Sequence, residues 1–200
     1  MENVVKKITN NLVVILLAGG IGSRLKQKTS KQMISYNDET ILEKNIISFK
    51  KYLKNIPIQV VSNCKDLSKV SEINKKFNIL PPVLGGNERQ ESVFNALEPL
   101  KKINPKYILI HDAARPLVSW QVIKKLLKYC EKEVACVVPT LNIADAIRTV
   151  SKNLITDVVS KKGKVLVQTP QLCNYELLMD AHLKSKCLHE DESSLFINIG

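Results

Sequence analysis

Hydrophobic and polar positions fall into blocks along this chain that switch between two periods. Residues 12–17 form an unbroken apolar run rich in β-branched side chains, the pattern of a strand buried on both faces. A helix is predicted over 40–53, with Thr40 as its N-cap and Glu43 at the capping-box spacing. The next strand is predicted at 57–61 and the next helix at 68–77. Residues 79–84 carry Pro81 and Pro82, so this extended segment belongs at a sheet edge or in a loop. A sharp Gly85-Gly86-Asn87 turn follows, and Val93, Ala96, Leu97 and Leu100 then recur at helical spacing within 91–102. Further blocks predict a strand at 107–110, a helix at 121–129 and a strand at 134–138. Residues 140–167 break this rhythm: they are polar, alternating and contain Gly163, the pattern of an extended arm or hairpin.

Alternating strands and helices predict an α/β fold: a mostly parallel sheet between two helical layers, Rossmann-like, with a β-arm protruding over about 139–167. One domain spanning 1–200 accounts for the length. Folds of this kind bind ligands beyond the carboxyl ends of their strands.

Composition narrows the classes. Hydrophobic residues make up 44% and charged residues 24%, which excludes a disordered or collagen-like chain. The run at 12–18 is far shorter than the roughly 20 residues that span a bilayer, so no membrane partner is expected. Lys6 and Lys7 before that run mimic a signal peptide, but Asn10 and Asn11 intervene and a glycine-rich turn follows, so it reads as the first strand. Five cysteines without a CxxC motif argue against a disulfide framework and a structural zinc site, and predict buried free thiols in a reducing, cytoplasmic setting. The net charge of +11 favours a polyanionic partner. The excess is mostly scattered lysine pairs, and Trp120 is the one tryptophan, which counts against nucleic acid and leaves a phosphate-rich small molecule.

Three segments carry candidate chemistry. The first is Ala18-Gly19-Gly20-Ile21-Gly22-Ser23, followed by Arg24 and then Lys31. The third glycine of a dinucleotide fingerprint is absent, and Gln27 precedes Lys28-Thr29 where a Walker loop needs glycine. What remains is a turn whose amides can surround a phosphate chain, with two cations close by. The second is the segment 85–92, where paired glycines allow close backbone approach to a flat ligand, and Arg89 and Ser92 can face one way at a helix start. The third is His111-Asp112-Ala113-Ala114-Arg115-Pro116, straight after a strand. A carboxylate there, near a triphosphate, suits Mg²⁺ held by one side chain and phosphate oxygens. His111 reads as structural.

With Gln168-Thr169-Pro170-Gln171 and Ser30-Lys31-Gln32 added, these segments resemble the 2-C-methyl-D-erythritol 4-phosphate cytidylyltransferase family and its close relative, ribitol-5-phosphate cytidylyltransferase. The resemblance runs from about Leu12 to the last residue. It implies transfer of CMP from CTP to 2-C-methyl-D-erythritol 4-phosphate, with pyrophosphate leaving and Mg²⁺ as cofactor. It implies that Arg24 and Lys31 are catalytic and that Ala18, Gly19, Gly20, Gly22 and Ser23 hold the triphosphate. Gly86, Asn87 and Ser92 would surround the cytosine, Arg89 would order that loop, and Ala113 would touch CTP. Asp112 would hold the metal. Arg115, Asp145, Lys161 and Thr169 would serve the sugar-alcohol phosphate, and the arm would cross into a second subunit of a homodimer.

Several positions depart from the family pattern. Ala146 stands where a threonine is usual, and Lys161 keeps the charge of an expected arginine but loses its fork. Ser30 replaces a proline before the lysine. The resemblance also implies a further strand and helix, with another lysine and another aspartate, past residue 200. The alternatives are therefore ribitol 5-phosphate as acceptor, and a truncated nucleotide-binding remnant without turnover.

Overall fold

The computed structural model describes residues 8, 10–20, 30–130, 132 and 134–199. The apolar run becomes β1 (Leu12–Ala18). A short 3-10 turn, Lys31–Met33, leads to a two-strand ribbon of β2 (Ser35–Tyr36) and β3 (Glu39–Thr40). Helix α1 (Ile41–Tyr52) starts at Thr40, whose side chain accepts from the Glu43 amide while Glu43 reaches back to the Thr40 N–H, the predicted capping box. Then come β4 (Ile58–Ser62), α2 (Leu67–Phe77), β5 (Val83–Leu84), α3 (Arg89–Leu100), β6 (Tyr107–Asp112) and α4 (Trp120–Leu127). Strand β7 (Cys136–Val137) precedes the arm, which is built from β8 (Thr140–Asn142), β9 (Ile147–Ser151), β10 (Leu154–Val159) and β11 (Val165–Val167). The chain returns to the sheet as β12 (Gln171–Asn174), α5 (Tyr175–Lys184) and α6 (Glu192–Ile199).

The central sheet has the order β5-β4-β1-β6-β12-β7. β5, β4, β1 and β6 are parallel, whereas β12 lies antiparallel between β6 and β7. The strand expected over 134–138 is cut to two residues because its ladder with β12 holds just the pairs Leu172–Val137 and Cys173–Cys136. The proline-bearing segment takes the edge, as its missing N–H groups require.

Side chains alternate across β1 and build a core on each face of the sheet. Leu12, Val14 and Leu16 pack with Ile46 and Phe49 of α1, Val70 of α2 and Ile123 of α4. Val13 and Ile15 pack with Val93 and Leu97 of α3, Leu178 of α5 and Leu195 of α6. This is the three-layer architecture that the alternating blocks predict. The arm pairs with itself, β9 with β10 and β8 with β11, and stands largely exposed. None of the five cysteines is in a disulfide, but Cys64 and Cys187 are exposed, which corrects the expectation of uniformly buried sulfur.

Candidate active site

Strand register brings the three candidate segments to one edge. Leu17 pairs with both Val61 and Asp112, Ala18 with Ser62, and Ser62 with Leu84. The chain therefore leaves β1, β4, β5 and β6 at the same level, and Gly19, Asn63, Gly85 and Ala113 emerge side by side. Backbone bonds fix this rim: Ala113 N–H donates to Leu17 O at 3.0 Å and Gly85 N–H to Ser62 O at 2.8 Å. β4 separates the exits of β1 and β5, so the glycine-rich segments flank it.

The exit of β1 is held from below. The turn of Lys31–Met33 buries Gln32, and its side-chain amide donates to Ala18 O at 2.5 Å and Gly20 O at 3.3 Å. Gln32 also meets Asp66 Oδ2, which Asn63 Nδ2 bonds at 2.8 Å. Lys31, next in the turn, is half-buried at this rim. Gly22, Ser23 and Arg24 lie outside the described residues. Asn45, fully buried on α1, donates to Ala113 O at 2.8 Å and so anchors the exit of β6.

The Gly85–Glu88 loop is tied to the first turn of α3. Gly86 N–H donates to Ser92 Oγ at 3.1 Å, and Asn87 N–H donates to Glu91 Oε2 at 2.8 Å. A β-carbon on Gly86 would lie 2.4 Å from Glu91 Cβ, so this position has no room for one. Ser92 and Glu91, rather than Arg89, order the loop. Ser92 turns towards Gly86 while Arg89 turns away across the sheet edge, so the two do not share a ligand-facing direction.

Arg89 reaches the last helix instead. Its two terminal nitrogens donate to Glu192 Oε1 and Oε2 at 2.8 and 2.9 Å, and Glu192 is 2% exposed. Its Nε edge lies 3.7 Å from Asp112 Oδ1. On the other side, Arg115 Nε lies 3.2 Å from Asp112 Oδ2, and its Nη1 donates to Gln168 Oε1. Burial alone would push the Arg89 guanidinium down, but Glu192, with help from Asp112 and Asp191, raises it above its ordinary value. Gln171 locks the far wall: its Nε2 donates to Asp191 Oδ2 at 2.9 Å and its Oε1 accepts from Glu192 N–H at 3.2 Å. Burial would raise Asp191, but bonds from Ser194, Gln171 and Ser193 hold its carboxyl below the ordinary range.

His111 is buried and structural, as expected. Arg115 O can accept but not donate, so the imidazole Nε2, at 2.8 Å, carries the proton. Nδ1 then accepts from the Thr169 hydroxyl at 2.9 Å, and that oxygen also accepts from Asp112 N–H at 3.3 Å. Desolvation holds His111 below its usual value, in keeping with a neutral ring, although the Arg115 carbonyl and Asp112 oppose it. The Thr169 hydroxyl is thus engaged inside the protein.

Between β6, the end of the arm and α6 lies a cavity of about 720 Å³, lined among others by Arg89, Asp112, Arg115, Gln168, Thr169 and Asp191. Asp145 and Lys161 do not reach it: Asp145 is exposed on the arm, and Lys161 donates to Ala144 O at 2.6 Å. Glu192 is a site residue that carries no local sequence signal, because its partner Arg89 lies 103 positions away; Gln32 and Gln171 stand in the family motifs, but their bonds to Ala18 and Asp191 are not legible there. No cluster of three potential metal-ligating side chains occurs among the described residues. At Asp112, Arg115 Nε takes the Oδ2 side at 3.2 Å, while Oδ1 lies 3.7 Å from Arg89 Nε, beyond hydrogen-bond distance; one such hard oxygen suits a divalent cation that arrives with its own phosphate oxygens.

A sheet edge with a glycine-rich exit, a glycine-paired loop and a carboxylate–arginine wall lies where α/β folds bind ligands, beyond the carboxyl ends of the strands. A family model described as 2-C-methyl-D-erythritol 4-phosphate cytidylyltransferase matches residues 12–200, and the chain belongs to that family. The 2-C-methyl-D-erythritol 4-phosphate cytidylyltransferase of Clostridium beijerinckii is 35% identical over 198 residues, covering 92% of this chain and 83% of that one. The bifunctional enzyme IspD/IspF of Wolbachia pipientis is 32% identical over 186 residues, covering 91% of this chain and 47% of that one. Among solved structures, the bifunctional IspDF of Campylobacter jejuni superposes with a TM-score of 0.78 at 25% identity, covering 95% of this chain and 47% of that one. The chain thus spans about half the length of the bifunctional relatives and most of the monofunctional one.

Proposed function

We propose that this protein transfers CMP from CTP to 2-C-methyl-D-erythritol 4-phosphate and releases pyrophosphate. Family membership over 12–200 carries the reading, and the geometry of the sheet edge supports it. The acceptor phosphate attacks the α-phosphorus of CTP; the new P–O bond forms as the bond to pyrophosphate breaks. Such a reaction needs in-line positioning and positive charge around a crowded, highly negative centre. The half-buried Lys31 supplies one such charge beside the β1 exit, with Arg24 as its expected companion. The amides at Ala18, Gly19 and Gly20 face the triphosphate. The loop at Gly86 and Asn87 takes the base, where the Gly85-Gly86 backbone, without side chains, approaches a flat ring. Arg115 sits on the acceptor side of Asp112.

A divalent cation, Mg²⁺, would be held by Asp112 together with triphosphate oxygens, and it would neutralise charge on the leaving pyrophosphate. The exposed apolar positions of the arm support a homodimer in which each arm crosses to the other subunit and brings Asp145 and Lys161 to the partner's acceptor site. Val150, Leu154, Ile155 and Val158 are 60 to 70% exposed. No helix among the described residues is long and apolar enough to cross a membrane. Five cysteines, an odd number without a CxxC motif, support a reducing, cytoplasmic setting.

The test is pyrophosphate release with CTP, Mg²⁺ and 2-C-methyl-D-erythritol 4-phosphate, with ribitol 5-phosphate in parallel wells. Release is expected with the methylerythritol phosphate, and Lys31→Ala should lower it by about 10²–10³-fold without unfolding the chain. Release with ribitol phosphate alone would move the assignment to the relative that Ala146 and Lys161 suggest. CTP binding without release from either acceptor would mark a binding protein.

A further inference from the structure

The two arginines at Asp112 share a pattern. Each presents its Nε edge to one carboxylate oxygen, while terminal nitrogens bond elsewhere: both of Arg89 on Glu192, and Nη1 of Arg115 on Gln168. The far partners differ in charge. Gln168 leaves Arg115 cationic, whereas the Glu192 carboxylate neutralises Arg89. Glu192 has little freedom to do otherwise, since it is 2% exposed and its own N–H is bonded to Gln171 Oε1.

A guanidinium pairs most strongly with a carboxylate through two parallel N–H bonds. Asp112 lies 3.7 Å from Arg89 Nε, longer than a hydrogen bond, so that fork is directed away from it. If Glu192 did not hold the terminal nitrogens, the other carboxylate within 4 Å of the Arg89 guanidinium among the described residues would be Asp112, through Oδ1. The geometry points to Glu192 as a positioning residue: by occupying the fork of Arg89 it keeps Asp112 Oδ1, the oxygen that Arg115 does not take, available to the cation–triphosphate complex. This inference rests on the reading of Asp112 given under the proposed function, and it adds a residue that touches neither substrate nor cation.

Calorimetric titration of the full chain with CTP, once with Mg²⁺ and once with chelator, separates the two claims. Wild-type protein should bind CTP more tightly with Mg²⁺; if it binds equally with and without, the assignment of Asp112 falls, and this inference with it. Given a Mg²⁺ preference, Glu192→Gln should reduce it by about tenfold while the metal-free affinity holds or rises, because the freed guanidinium captures Asp112 and adds positive charge. Adding Arg89→Met to Glu192→Gln removes the competing fork and should restore the ratio, though not the absolute affinity. Should Glu192→Gln fail to fold, Glu192→Asp keeps the charge but shortens the reach, and a drop of about threefold in the same ratio is expected. Equal loss of both affinities in the single variants, or no change in either, overturns the inference, since a purely structural ion pair would not select for the metal complex. So does a double variant whose ratio stays as low as that of the single one.

Discussion

Gly86 offers the sharpest perturbation of the site. Alanine there would put its β-carbon 2.4 Å from Glu91 Cβ and 2.6 Å from Glu91 Oε2. Carbon atoms in contact prefer about 3.5–4.0 Å, so a gap of about 1 Å has to open. Glu91 Cβ is bound directly to the backbone of α3 and cannot rotate out of the way. Either the helix start shifts or the loop does, and both break the bond from Asn87 N–H to Glu91 Oε2. Overpacking typically costs about 1–3 kcal/mol, and the lost hydrogen bond about 1 kcal/mol more. A destabilisation of about 2–3 kcal/mol is expected in urea denaturation, because the loop is exposed enough to relax part of the strain. The functional cost is larger, since a displacement of about 1 Å at a positioning loop can lower turnover efficiency by about 10²-fold. The loss should appear in kcat/KM for CTP. A Gly86→Ala variant with unchanged stability and unchanged CTP kinetics would refute both the packing argument and the placement of the base at this loop.

Further outcomes follow from other contacts. Gln32→Leu leaves the Ala18 carbonyl without its side-chain donor and should cost about 1–3 kcal/mol in denaturant unfolding, with faster amide exchange at residues 18–20; protection equal to wild type would contradict this. Burial, with Arg89 and His189 nearby, holds the His182 imidazole down at about 4 from an ordinary 6.5. The unfolded chain therefore takes up this proton more readily, so the contribution is complete above pH 6.5 and is lost as pH falls towards 4. His182→Phe should flatten the stability profile across that window by about 3 kcal/mol, and an unaltered slope would argue against it. Ile155→Lys, on the exposed face of the arm, should shift sedimentation from dimer to monomer; a wild-type monomer at micromolar concentration would remove the crossing arm from the account.

The parallel part of the sheet is legible because its strands are buried on both faces. Runs such as 12–17 and 107–110 need no partner information to be recognised. The capping box at Thr40 and Glu43 is legible for the same reason, since its two halves lie three residues apart. β12 is not: Gln171, Leu172, Cys173 and Asn174 have no run or period of their own, and what makes them a strand is the slot between β6 and β7. In the site, the glycine loops and Asp112 announce themselves by local pattern. The role of Arg89 does not. Helical spacing predicts that it faces the same way as Ser92, whereas its actual partner, Glu192, sits 103 residues further along the chain and draws it away. The Thr169 hydroxyl likewise reads as a ligand contact until the buried His111 ring is placed behind it.

The central claim is that a CMP group moves from CTP to a sugar-alcohol phosphate at this sheet edge, and phosphorus NMR of the complete reaction tests it most directly. With CTP, Mg²⁺ and 2-C-methyl-D-erythritol 4-phosphate, the triphosphate signals should be lost together with matched growth of pyrophosphate and of a diphosphate diester bearing both the cytidine and the methylerythritol. CTP that stays intact, or that hydrolyses to CMP and pyrophosphate with the acceptor unchanged, would contradict it.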